Sequence, residues 1–94
     1  MARRKPAARI PDPEWLTMAE AHAAIVAEGA SHRDVLQGEP HPMVTYYRPS
    51  PAYAGSLGYC VLSRYSDGKL RRGSWLIAHD GMSRAAVAIE PVAA

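Results

Sequence analysis

Hydrophobic and polar positions change their rhythm twice along this chain. Over residues 19–27 strong helix formers dominate, and Met18, Ala21, Ile25 and Val26 fall on one face, with Glu20, Ala24 and Glu28 elsewhere. Thr17 precedes this run and Glu20 follows it by three residues, the spacing of a capping box. Gly29 closes it. A second, shorter helix is predicted over residues 31–37, with Ser31 as its cap, Asp34 in the capping-box position, Val35 and Leu36 inward and Gly38 as the stop. Beyond Pro40 and Pro42 the pattern becomes strand-like. Residues 43–47 are rich in β-branched and aromatic side chains, ended by Pro49.

Residues 48–58 read as a loop by composition. Residues 59–65 and 70–78 then form the strongest local signal, two strand-like runs joined through Asp67-Gly68. Asp-Gly is a preferred pair for a two-residue turn in which both central residues need positive φ. In that register opposite residues sum to 135. Arg64 then opposes Arg71, and Tyr59, Val61, Ser63 and Tyr65 share a face with Leu76, Ser74, Arg72 and Leu70. Cys60 lies beside Trp75, which is expected to anchor the sheet to the first helix. A turn at Asp80-Gly81 and a last strand over residues 84–92 complete the pattern. The expected fold is therefore α+β: two N-terminal helices packed on a three- to four-stranded antiparallel sheet, with a disordered basic N-terminal arm. Residues 1–13 form that flexible arm and residues 14–94 one small domain.

Composition qualifies the core. Of 94 residues 48% are hydrophobic, but 17 are alanine, Val, Ile and Leu together number 16, and Phe is absent. Such a core suggests modest intrinsic stability and a fold that leans on a partner. No apolar run is long enough for a membrane span, and no apolar stretch follows the basic N-terminus as a secretory signal requires. A single cysteine excludes an internal disulfide, so a reducing cytoplasm is the expected compartment.

The net charge of +2 conceals a partition. Residues 1–10 carry Arg3, Arg4, Lys5 and Arg9 with no acid. Residues 11–42 carry six acids against Arg33 alone, and residues 43–94 carry six cations against three acids. A uniformly basic nucleic-acid binder has a different profile. Around the hairpin tip, Arg64, Lys69, Arg71 and Arg72 stand against Asp67, a basic ribbon suited to an acidic protein surface or to phosphates.

Catalytic signatures are missing. The chain has no HExxH, GxSxG, Walker loop or GxGxxG, and Gly55-Ser56-Leu57-Gly58 lacks the lysine of a phosphate-binding loop. His22, His32, His41 and His79 are too scattered to suggest a metal, and no cofactor is implied. Cys60 reads as a packing residue.

Residues 16–21 and 31–36 resemble the helix-turn-helix opening of small phage-type and excisionase-type regulators, in which a capped helix precedes a serine-capped recognition helix. The spacer is longer than that pattern has, and the second segment carries one basic residue where a polar basic face belongs, so no family is assigned.

Two functions fit these features. The first is a small non-enzymatic protein-interaction module, such as an inhibitor, accessory subunit or virion component. It would bind a larger protein or assembly through the hairpin cations Arg64, Lys69, Arg71 and Arg72, the aromatics Tyr46 and Tyr47, and Arg3, Arg4 and Lys5 of the arm. A homo-oligomer is compatible with it. The second is a small DNA- or RNA-binding protein that uses the arm and hairpin tip for phosphate contacts, with Tyr46, Tyr47 and Tyr53 available for stacking.

Overall fold

Thr17 caps the first helix as the sequence pattern predicts. Its hydroxyl accepts from the Glu20 amide at 3.2 Å while Glu20 Oε1 accepts from the Thr17 amide at 3.0 Å, a complete capping box. The helix that follows, α1 (Met18–Ala27), ends at the C-cap Glu28, and Gly29 takes up φ +106° just beyond it, a conformation that favours glycine. The structure is a computed structural model that describes residues 13–37 and 43–89. The arm, with Arg3, Arg4 and Lys5, lies outside the described residues.

The remaining described elements are strands: β1 (Glu14–Trp15), β2 (His32–Gln37), β3 (Met43–Pro49), β4 (Leu57–Arg64), β5 (Leu70–Arg72), β6 (Leu76–Ile77) and β7 (Val87–Ala88). They form one antiparallel sheet in the order β1-β5-β4-β3-β2-β7, with β6 on the β5 side of β4. Among the described residues, one helix on a seven-stranded sheet replaces the expected two helices on three or four strands.

The largest correction is at residues 31–37, where His32–Gln37 form β2. Their local signals favour a helix, but so short a helix is marginal by itself in water. Pairing with β3 from His32↔Tyr47 to Gln37↔Met43, and with β7 at His32 and Arg33, satisfies the backbone across two neighbours instead. With a strand in place of the expected second helix, the resemblance to a helix-turn-helix opening does not hold.

The hairpin turn is also corrected. The Gly68 amide bonds to the Tyr65 carbonyl at 2.9 Å, the Tyr65 amide to the Lys69 carbonyl at 2.8 Å, and Gly68 has φ +87°. Asp67 does not share that positive φ. This is a turn closed by a bulged glycine, one residue longer than the expected two-residue turn. Register near the tip slips by one, to Leu62↔Arg72, Ser63↔Arg71 and Arg64↔Leu70, so Arg64 and Arg71 are not opposed. A slip of one exchanges faces, and Leu70 turns into the core. Past Gly73-Ser74-Trp75 the expected register returns, with Tyr59↔Leu76. Those three residues split the long predicted strand into β5 and β6, and among the described residues of the last predicted strand Val87 and Ala88 form β7.

The core lies between α1 and one sheet face. Ala21 and Ile25 meet Val44, Tyr46, Cys60, Leu62 and Leu70, with Met18, Trp15, Trp75 and Ile89 around them. Cys60 is buried as expected, whereas Trp75 is only partly so, packed at the rim. On the opposite face the turns over residues 79–86 cross Tyr47, whose hydroxyl donates to the Met82 carbonyl at 3.0 Å.

Candidate interaction surface

Two of the hairpin cations, Lys69 and Arg71, are engaged by an acid far away in sequence, and Arg71 also by a near one. Lys69 Nζ reaches Glu14 Oε1 at 2.7 Å, and Arg71 reaches Glu14 Oε2 at 3.1 Å and Asp67 Oδ2 at 2.6 Å. Pairing of β1 with β5 sets Glu14 opposite Arg71 and so brings that carboxylate to the tip. These bonds hold the Glu14 and Asp67 carboxyls below their ordinary range. Arg71 also lies over the Tyr65 ring at 5.0 Å, and Arg64 donates to the Gly68 carbonyl at 2.6 Å. Exposed pairs of this kind contribute about 0–1 kcal/mol each. Their larger effect is on charge: four cations share the neighbourhood of three carboxylates, counting Glu28.

Arg72 belongs to an enclosed cluster. It donates to Glu28 Oε2 at 2.8 Å, and Trp75 Nε1 donates to Glu28 Oε1 at 2.7 Å. Arg48 stacks on Trp75 at 4.1 Å and donates to the Glu28 carbonyl at 2.8 Å. Gly58 lies under the indole, where a Cβ would come within 3.8 Å of the ring. This group fastens the end of α1 to the sheet.

Burial pushes the neighbouring Cys60 thiol up to about 11, against the opposing effect of Arg72. The folded protein is therefore expected to leave a thiol-reactive disulfide reagent unconsumed at pH 8 and to take up one equivalent when denatured. Rapid native labelling would place Cys60 at an open site. Among the described residues no three His, Cys, Asp or Glu side chains gather as a metal site needs, and no described helix is long and apolar enough to cross a membrane.

Tyr46 and Tyr47 are both enclosed, at 0% and 2% exposure. Tyr46 points to α1, and its hydroxyl lies 3.0 Å from His22 Nδ1. Arg33 Nη1 lies 3.5 Å from the same nitrogen. A guanidinium can only donate, so the Arg33 contact suits the tautomer in which Nδ1 accepts. Desolvation, and then the Arg33 charge, lower the His22 pKa and favour the neutral ring.

His22 and Arg33 open onto a cleft of about 670 Å³ between α1, β2 and β7, lined also by Asp34, Val35, Val87 and Ile89. Here the sheet has an open edge. β7 pairs with β2 only at His32 and Arg33, so from Asp34 onward no described strand covers that side. Val35, Leu36 and Val87 are 55%, 57% and 67% exposed beside it. None of these residues was singled out from the sequence as a binding residue. The available signal was Arg33, the lone cation among residues 11–42.

No protein-family model, curated protein or solved structure matches this chain.

Proposed function

We propose that this chain is a small protein-interaction module, acting by binding alone, whose docking element is the open edge of β2. The observation that carries this reading is the unpaired stretch from Asp34, flanked by exposed Val35 and Leu36. A bare strand edge is a template for another strand, and proteins usually guard it with lysine, proline or a bulge. A bulge between Val35 and Gln37 is present, but β2 has neither lysine nor proline. Strand addition along such an edge supplies backbone hydrogen bonds, while alternate side chains supply specificity. Three of the four hairpin cations needed for phosphate contacts, Lys69, Arg71 and Arg72, already hold Glu14, Asp67 and Glu28, which favours the protein partner over nucleic acid. A cytoplasmic setting suits a chain whose lone cysteine is a buried free thiol.

The test is affinity capture from the native host, with and without nuclease, using the wild type and Val35→Lys/Leu36→Lys. Both positions are exposed, so the variant is expected to fold normally while its added charges block strand addition. The expected result is a protein partner that survives nuclease and is lost from the variant. Captured material that disappears with nuclease, or that is indifferent to the two lysines, would overturn the reading.

A further inference from the structure

Arg33 differs from the paired cations of the sheet in its company, as it also differs from Arg48 and Arg64, which donate to backbone carbonyls. Lys69, Arg71 and Arg72 each hold a carboxylate within 3.1 Å. Arg33 meets the imidazole of His22 and the phenol of Tyr46, and no described carboxylate pairs with it. Its register opposite Tyr46 puts it on the helix side of the sheet, in the cleft and next to the open edge. The His22 imidazole lines the same cleft. The local chemistry is thus donor-rich and cationic, with apolar Val35, Val87 and Ile89 around it.

We propose that the segment docking on β2 is an extended stretch of a partner protein carrying an acidic side chain, which the cleft receives through Arg33 with His22 beside it. The inference rests on the strand-addition reading above and names the chemistry of its ligand. Asp34 also lines the cleft, but its register opposite Thr45 puts it on the far face of the sheet. Side chains alternate across a strand, so the docked segment would present its acid to Arg33 and a neutral or basic neighbour to Asp34. An arginine that meets a carboxylate in a partly enclosed site makes a charge-assisted bond, stronger than a neutral one and geometrically selective.

Three labelled octapeptides of alternating Thr and Val, with a central Glu, Gln or Lys, test this by fluorescence anisotropy against the intact protein. The Glu peptide is expected to bind about tenfold more tightly than the Gln peptide, and the Lys peptide most weakly. Arg33→Gln should equalise Glu and Gln while changing Gln binding less than about twofold, and Arg33→Lys should restore part of the preference. Val35→Lys/Leu36→Lys should weaken all three. If the wild type binds the three equally, the acidic ligand is wrong and strand addition stands. If none binds, both fall. Arg33-dependent binding of a single-stranded oligonucleotide in place of the Glu peptide would assign the cleft to phosphate and overturn the proposal.

Discussion

Glu28→Ala is expected to destabilise the fold by about 3 kcal/mol, at the lower end for breaking an enclosed ion pair because the Glu28 side chain remains 31% exposed. The carboxylate neutralises Arg72, whose side chain is only 11% exposed, and it satisfies the Trp75 indole in the same step. Its removal leaves an enclosed guanidinium without a counter-charge beside a second one, Arg48. The Nε atoms of Arg48 and Arg72 are already buried without a protein partner, so the cluster has little spare capacity to compensate. Against a total stability of about 5–15 kcal/mol the loss is large. For a domain of this size it corresponds to a fall of about 12–24 °C in Tm. Glu28→Gln keeps an acceptor for Trp75 but no charge for Arg72, and should fall between the two. Denaturant titration of the three proteins measures this directly. A loss below about 1 kcal/mol for Glu28→Ala would show that Arg72 is neutralised in another way and that the cluster does not hold α1 to the sheet.

That cluster was not legible in the sequence, for a physical reason that also governs the hairpin tip. Glu14 at the tip and Glu28 in the cluster lie 55 residues from Lys69 and 44 from Arg72 along the chain, and only strand pairing and the end of α1 bring them together. Features carried by adjacent residues were legible. Thr17 and Glu20 determine where α1 begins, Gly29 where it ends, and the apolar runs around Tyr46 and Leu62 mark β3 and β4. The error at residues 31–37 arises where local and tertiary preferences disagree: a serine cap and an acid three residues on favour a helix turn, but two neighbouring strands offer more hydrogen bonds. The error at Asp67-Gly68 is smaller in sequence and larger in consequence. One extra turn residue moves Leu70 from the far face into the core and separates Arg64 from Arg71. Of the candidate surface, only Arg33 left a trace in the sequence. Which strand forms the open edge follows from the strand order, and that order depends on pairings a linear reading does not contain.

Tyr46→Ala should have the largest effect of all, a loss of about 3–5 kcal/mol, the range for truncating a core aromatic. Tyr46 is fully enclosed, spans the gap between β3 and α1, and carries the hydroxyl that bonds His22 at 3.0 Å. Alanine would leave a cavity against Ile25, Cys60 and Leu62 in a core with few large side chains to collapse into it. Tyr46→Phe fills the same space and loses only the bond to His22, so about 1 kcal/mol is expected. A pH series adds an independent readout. The fold favours neutral His22, so below the ordinary histidine value of 6.5 the unfolded chain takes up the proton more readily, and stability falls as the solution is acidified. Releasing His22 from its packing in Tyr46→Ala should flatten that dependence. Equilibrium unfolding at pH 7.5 and 5.5, with partner capture measured on the same proteins, separates a core role from a binding one. A Tyr46→Ala protein that keeps its midpoint but no longer captures its partner would make Tyr46 an interface residue, and the packing of α1 on the sheet would then have to depend on its other contacts.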